Sequence, residues 1–134
     1  MIEIAVTDAH ALIWYGTRRW KKLGPQARKV FEAVDAGAAT IYVPTLALVE
    51  ISEASHHGRI SLQGGFSSWT DKIFSTRRFM PVDLTVDIVR RAEAFYGIPE
   101  RDDRLIAATA AHLGFPLITR DPEIARAAGV EVVW

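Results

Sequence analysis

Near its start the chain reads IEIAVTDAHALIWY (residues 2–15). The first part, Ile2 to Val6, is rich in β-branched residues and predicts a strand that ends at Thr7-Asp8. The residues from Ala9 to Tyr15 then predict the beginning of a helix. An acidic side chain therefore lies where a strand gives way to a helix.

The rest of the chain repeats this alternation. Short apolar runs predict further strands at residues 40–43, 116–119 and 130–134. Apolar residues at helical spacing predict helices at residues 25–34, 45–58 (with Thr45 as N-cap), 66–74, 85–96 and 103–113. Strands that alternate with helices are typical of βαβ units. We therefore predict a three-layer α/β fold with a mainly parallel sheet of four to five strands flanked by helices.

Composition limits the classes of protein that this chain can be. Its 134 residues are 49% hydrophobic and fit a single domain, residues 1–134. Sixteen basic and sixteen acidic side chains cancel, so nucleic acid can be bound only through local patches. There is no cysteine, which excludes disulfides and cysteine ligands. Acids near the start are unlike a signal peptide, and no apolar run reaches the roughly 20 residues of a membrane span. We expect a cytoplasmic protein.

Three aspartates are predicted at one edge of the sheet. Asp8 follows the first strand, Asp121 follows the strand at 116–119, and Asp103 begins the helix that leads into that strand. In open parallel sheets the ligand site lies beyond the carboxyl ends of the strands. A carboxylate cluster repels itself unless a cation neutralises it, and Mg²⁺ prefers oxygen ligands. We predict a metal site, with Glu50 from the helix after the second strand as a fourth acid.

Each acid also has an ordinary explanation. Asp121 precedes Pro122 as an N-cap would, and Asp103 suits the dipole at a helix start. Glu50 fits a solvated helix face and Asp8 a turn. Four independent caps need not fall at one sheet edge, so the set favours a functional site.

Four segments carry a family resemblance: TDAHALIW (7–14), LVEI (48–51), DRLIAATA (103–110) and LITRD (117–121). They resemble the signatures of PIN domains, and most closely those of VapC toxins. The resemblance implies an endoribonuclease that depends on Mg²⁺, or on Mn²⁺ as a substitute. It implies RNA as substrate, a homodimer and a small VapB-like antitoxin that binds over the active site. Asp8, Glu50, Asp103 and Asp121 would then be both metal ligands and catalytic residues.

The sequence departs from the family pattern in places that leave alternatives open. Ala9 stands where a hydroxyl side chain is frequent, and Asp102 adjoins Asp103. The spacing to Arg104 favours Asp103 as the ligand. Glu53 lies one helical turn from Glu50 and is a rival for its role.

The histidines are interpreted as supporting residues. His10 could act as a general base, but a histidine one turn into the first helix more often lies in the core or beside a ligand. His56 and His57 are expected on the surface near a helix end.

Basic and aromatic side chains suggest binding surfaces. The densest basic segment contains Arg18, Arg19, Lys21 and Lys22 around Trp20, with a smaller one at Arg77-Arg78. These could grip single-stranded RNA by phosphate contacts and stacking, or be plain solvated surface. Arg104 and Arg120 could be salt-bridge partners of the acids or phosphate clamps.

Large aromatic residues suggest a docking groove for the antitoxin. They are Trp14, Tyr15, Trp20 and Trp69, more than one small core readily hides. We expect the groove to be built partly by the first two helices and the helix with Trp69.

Two other functions fit parts of the pattern. A receiver-type signalling domain also has acids at the carboxyl edge of a parallel sheet, but the second strand here leads to Pro44-Thr45 instead of an aspartate, and no lysine follows Lys72. A non-catalytic PIN-like scaffold that only binds a partner requires the loss of an acid. None of the four is missing.

Overall fold

Five short strands form one parallel sheet in the computed structural model, which describes residues 1–134. The strands are β1 (Ile4–Thr7), β2 (Thr40–Pro44), β3 (Phe79–Val82), β4 (Leu117–Ile118) and β5 (Val132–Val133). Their order is β3-β2-β1-β4-β5, and all four neighbouring pairs are parallel. The prediction of a mainly parallel α/β fold with four to five strands is confirmed.

Helices make every connection between consecutive strands. They are α1 (Ala9–Gly16), α2 (Pro25–Asp35), α3 (Thr45–His56), α4 (Phe66–Ser75), α5 (Val86–Arg91), α6 (Arg101–Leu113) and α7 (Pro122–Ala125). Two 3₁₀ turns lie at Trp20–Lys22 and Ala92–Phe95. None of the helices is both long enough and apolar enough to cross a bilayer.

The core is one apolar cluster centred on the sheet. Ala5 and Val6 of β1 are fully buried, as are Leu117 and Ile118 of β4. Strands covered on both faces need continuous apolar runs instead of alternation, which is why these segments were recognisable in the sequence.

The direction of strand order reverses at β1. From β1 the chain adds β2 and then β3 on one side, and later returns to place β4 and β5 on the other. Thr7 is paired with Ile118, so the residues that follow β1 and β4 leave the sheet side by side. This is the switch point at which open parallel sheets bind ligands.

Three local predictions were wrong. β3 contains Pro81 and was not predicted. A proline is tolerated in this strand because the strand lies at the edge of the sheet. Thr45 is the first helical residue and not the N-cap, since β2 runs directly into α3 and Pro44 takes the cap position. The predicted helix at residues 85–96 is α5 followed by a 3₁₀ turn, although its start at the Thr85 N-cap is correct.

Candidate active site

Asp8 is held in one orientation by hydrogen bonds to both of its carboxylate oxygens. Its Oδ1 accepts the Ala11 N–H at 2.8 Å, which caps the N-terminus of α1. Its Oδ2 accepts the Thr119 hydroxyl at 2.6 Å. The capping explanation and the functional one are therefore compatible, because the cap fixes the direction of the carboxylate.

Thr119 ties the ends of β1 and β4 together and was not singled out from the sequence. It is fully buried, and the hydroxyl that donates to Asp8 also accepts the backbone N–H of Asp121 at 3.2 Å. The available signal was its position between the end of β4 and Asp121. Recognising its role requires knowing that β1 and β4 are neighbours.

Asp121 approaches from the other strand and also has a capping role. Its Oδ1 accepts the Glu123 N–H at 2.8 Å at the start of α7. Asp103 lies in the first turn of α6, and its carboxyl group is near enough to that of Asp121 to interact with it. The predicted convergence of Asp8, Asp103 and Asp121 is present in the structure.

These three aspartates line one pocket of about 340 Å³, together with His10, Trp14 and Arg120. We call it the acid pocket. Glu50 does not line it. Its helix, α3, packs against α1 and α6, and its charge still acts on Asp103. Glu50 therefore faces the cluster from one side.

The pKa values reflect this crowding. Burial raises the pKa of Asp103 to about 7, aided by hydrogen bonding to the Asp121 side chain and by the charges of Asp121, Glu50 and Asp8. Burial also raises the pKa of Asp8, although the Thr119 and Ala11 hydrogen bonds oppose it. Burial, followed by the charge of Asp102, raises the pKa of Glu50. All three shifts disfavour the charged form.

The donor chemistry of the acid pocket suits a hard divalent cation. Every acidic group there supplies oxygen ligands, and each carboxylate oxygen that accepts one hydrogen bond retains a second lone pair. In this arrangement no three acidic or histidine side chains are close enough to hold one ion together. The side chains must turn towards a cation to share it, and the ligand assignment of Asp8, Glu50, Asp103 and Asp121 stays a prediction.

A comparison of the sequence with protein families decides the identity of the fold. Residues 5–130 match the model of the PIN domain. The chain belongs to the PIN domain family. A search of curated proteins gave no match.

Solved structures share this fold at low sequence identity. VapBC2 from Rickettsia felis, bound to a promoter DNA fragment, has a TM-score of 0.71 and 15% identity, with 96% of each chain covered. VapC20 of Mycobacterium tuberculosis, a toxin that cleaves the sarcin-ricin loop, has a TM-score of 0.65 and 14% identity, with 97% of this chain and 99% of that one covered. FitAcB from Neisseria gonorrhoeae has a TM-score of 0.63 and 13% identity, with 96% and 95% covered.

The two rival acids of this PIN domain lie outside the acid pocket. Asp102 forms a salt bridge with Arg101 (Nε to Oδ1, 3.0 Å), and its charge acts on Glu50. Glu53 is exposed on α3 and makes the smallest of the contributions to the raised pKa of Glu50.

His10 is exposed and lines the acid pocket, so of its two expected places the core is wrong and the position beside the candidate ligands agrees with the structure. It is the second residue of α1, and its side chain points out beside the helix start. Its charge opposes the rise in the pKa values of Asp8 and Glu50. His56 and His57 are exposed at the end of α3, as predicted.

The two arginines beside the acids differ in role. Arg104 donates to the carbonyl of Ile98 at 2.9 Å and lies 4.5 Å from the Tyr96 ring, so it anchors the loop before α6. Arg120 lines the acid pocket, with its guanidinium 4.8 Å from the Trp14 ring. Neither forms a salt bridge, so that alternative is wrong for both.

A groove of about 590 Å³ lies where the aromatic residues predicted one, lined by parts of α1, α2 and α4. Tyr15, Trp20 and Trp69 contribute to its wall. The expectation that the core cannot hide these aromatic residues is wrong for Trp14 and Trp69, which are each only 7% exposed. The core does hide these two rings.

Proposed function

We propose that this PIN domain is a divalent-metal-dependent endoribonuclease and the toxin of a toxin-antitoxin pair. One observation carries the proposal: Asp8, Asp103 and Asp121 come from three separate elements and meet in one pocket at the switch point of the sheet. Helix capping alone does not require acids to lie so close together that the pKa of one of them, Asp103, is raised to about 7.

The four acids would hold the cation, with Mg²⁺ as the natural ion and Mn²⁺ as a substitute. A bound ion of this kind supplies a coordinated water of lowered pKa and neutralises charge on a phosphodiester. Asp8 is aimed by Ala11 and Thr119 before any ligand arrives. Glu50 accepts no side-chain hydrogen bond, so its carboxylate would be free to hold the cation either directly or through a coordinated water.

The toxin assignment is supported by the structural neighbours and by the groove. The neighbours include VapBC and Fit proteins, one of them a toxin that cleaves the sarcin-ricin loop. The groove combines the partly exposed apolar side chains Tyr15, Trp20 and Ile73 with the cations Arg18, Lys72 and Arg78. An amphipathic antitoxin segment with acidic residues would match both. A homodimer in the cytoplasm completes the proposal.

RNA cleavage tests the enzymatic part. A labelled RNA is incubated with the purified protein in Mg²⁺, in Mn²⁺ and in excess EDTA, together with an Asp8→Asn variant. We expect cleavage in either metal, none in EDTA, and a loss of about 10²–10³-fold in Asp8→Asn because a preorganised charge is removed. Asp87→Asn is the matched control, since Asp87 is also an acid at a helix start but is exposed. Full activity in EDTA, or in a folded Asp8→Asn variant, rules out the metal mechanism.

Growth and light scattering test the toxin and partner assignments. Expression of the wild type alone should slow the growth of its host, while Asp8→Asn should be tolerated. Light scattering at micromolar concentration should give twice the monomer mass. Harmless expression of a protein that cleaves RNA in vitro contradicts the toxin assignment, and a strict monomer contradicts the dimer.

A further inference from the structure

Trp14 lies between the acid pocket and the basic segment that contains Lys21 and Lys22. Its ring lines the acid pocket, where the guanidinium of Arg120 is 4.8 Å from the ring centroid. The ammonium of Lys22, in the 3₁₀ turn, is 5.9 Å from the centroid of the same ring. One aromatic side chain thus joins a cation at the pocket to a cation outside it.

Both cations are unpaired. Arg120 and Lys22 are exposed, and neither forms a salt bridge or a side-chain hydrogen bond. Their backbone positions are nevertheless fixed. Arg120 lies between Thr119 and Asp121, and the N–H of Lys22 donates to the carbonyl of Arg19 at 3.0 Å. Their backbone attachment points are therefore fixed beside Trp14, and their charges are available to a ligand.

Two other basic residues, Arg28 and Arg78, have hydrogen-bond partners inside the protein. Arg78 donates to the carbonyls of Val34 and Asp35, and Arg28 donates to the carbonyl of Trp20 at 3.0 Å. These two hold the fold together. Arg28 also fixes the carbonyl at the start of the turn that carries Lys22, so the internal cations support the position of the free one.

We propose that Arg120 and Lys22, laid against Trp14, form a binding track for the backbone phosphates of single-stranded RNA. The track leads from the acid pocket towards the 3₁₀ turn, and the inference rests on the proposed nuclease function. Three carboxylates repel an approaching phosphodiester, so a polyanion can reach them only where neighbouring cations offset that repulsion. A guanidinium stacked on an aromatic face keeps N–H groups available for phosphate oxygens.

Trp14 acts here as a positioning residue. Its ring also meets Trp134 edge-on, at a centroid distance of 5.8 Å, and it is only 7% exposed. It therefore cannot stack on a base without leaving the core. RNA would be bound through phosphates, independent of base identity, on this side of the pocket.

Fluorescence anisotropy with a labelled single-stranded RNA tests the track. The measurement is made in EDTA at several salt concentrations, so that binding is separated from cleavage. We expect Arg120→Gln to weaken binding about tenfold and Lys22→Gln about threefold. Each should reduce the slope of log K against log salt by roughly 0.7 for every phosphate that the variant no longer neutralises. Arg120→Lys should keep the slope. Arg90→Gln, which removes an exposed cation on α5, should change neither quantity.

Three outcomes overturn the proposal, and each has a different meaning. If Arg120→Gln binds RNA with unchanged affinity and slope while the wild type cleaves RNA, the track is wrong and the nuclease function stands. If poly-glutamate of matched charge binds as tightly and is weakened as much by the same substitutions, the surface recognises acidic protein. If the wild type neither binds nor cleaves RNA, the proposed function fails as well.

Discussion

The starts of α5 and α6 carry the same local feature with different consequences. Both helices have an aspartate in the first turn, Asp87 in α5 and Asp103 in α6. The Asp87 side chain is 71% exposed and pairs with Arg90 at 3.5 Å. Asp103 is partly buried and faces Asp121, Glu50 and Asp8.

The difference comes from what lies beside each helix start. α5 follows the edge strand β3, whereas α6 leads into β4, next to the central strand β1. An acid at a helix start interacts favourably with the helix dipole in both places. Only at the switch point do acids from other elements add to it, and there the same residue type becomes part of a site.

The sharpest test of this contrast lies within α6. Asp103→Asn should reduce RNA cleavage by about 10²–10³-fold, because its carboxylate faces the acid pocket. Asp102→Asn should retain activity within about threefold, a change of less than 1 kcal/mol, because Asp102 pairs with Arg101 outside that pocket. Initial rates at saturating Mg²⁺ give the comparison. Equal losses would mean that both acids serve the site, and a loss in Asp102→Asn alone would reverse the assignment.

A second test removes a feature that α5 lacks, the buried hydroxyl that aims an acid. Thr119→Val should lower cleavage by about 10–100-fold and raise the Mg²⁺ concentration needed for half activity, because Asp8 is deprived of its 2.6 Å donor. Thr119→Ser keeps the hydroxyl and should restore both. Thr119→Val could also unfold, in which case Thr119→Ser decides the question. If Thr119→Ser has the melting temperature of the wild type but cleaves no RNA, the hydroxyl supports the fold and not the reaction.

A third test uses the pH dependence of stability without metal. Asp103 has a pKa of about 7 in the folded protein and an ordinary value of 3.8, so between these values the folded state holds a proton that the unfolded state has lost. Stability therefore falls as pH rises through this window. In EDTA we expect Tm to drop by about 5–10 °C between pH 5 and pH 8. Asp103→Asn should flatten the curve, and an unchanged slope in this variant would assign the effect to other groups.

The smallest effect is expected at α5 itself. Asp87→Asn removes an exposed ion pair and an acid near a helix N-terminus, which together contribute less than about 1 kcal/mol. Thermal melts should therefore show a small decrease in Tm, with cleavage unchanged. A loss of cleavage comparable to that of Asp103→Asn would mean that Asp87 also contributes to the site, which contradicts the contrast between the two helices.

The sequence predicted the features that depend only on residues close together in the chain. The β-branched run before Asp8 and the apolar run before Asp121 identified two buried strands, and acids at their ends located the candidate site. β3 was missed because Pro81 argues against a strand wherever the neighbours are unknown. The role of Thr119 was missed because it exists only when β1 and β4 pair, and the exposure of His10 depends on how α1 sits on the sheet.

The hydrogen bond between Thr119 and Asp8 also bears on when, during synthesis, the Asp8 carboxylate becomes oriented. Its partners are 111 residues apart in the chain, so the carboxylate is aimed only after β4 has been made. A ribosome adding about 5–20 residues per second needs on the order of ten seconds to cover that interval. During this time the nascent chain carries Asp8 without the strand that orients it. The Asp8 carboxylate therefore acquires its full set of hydrogen bonds only once β1 and β4 have both been synthesised and paired.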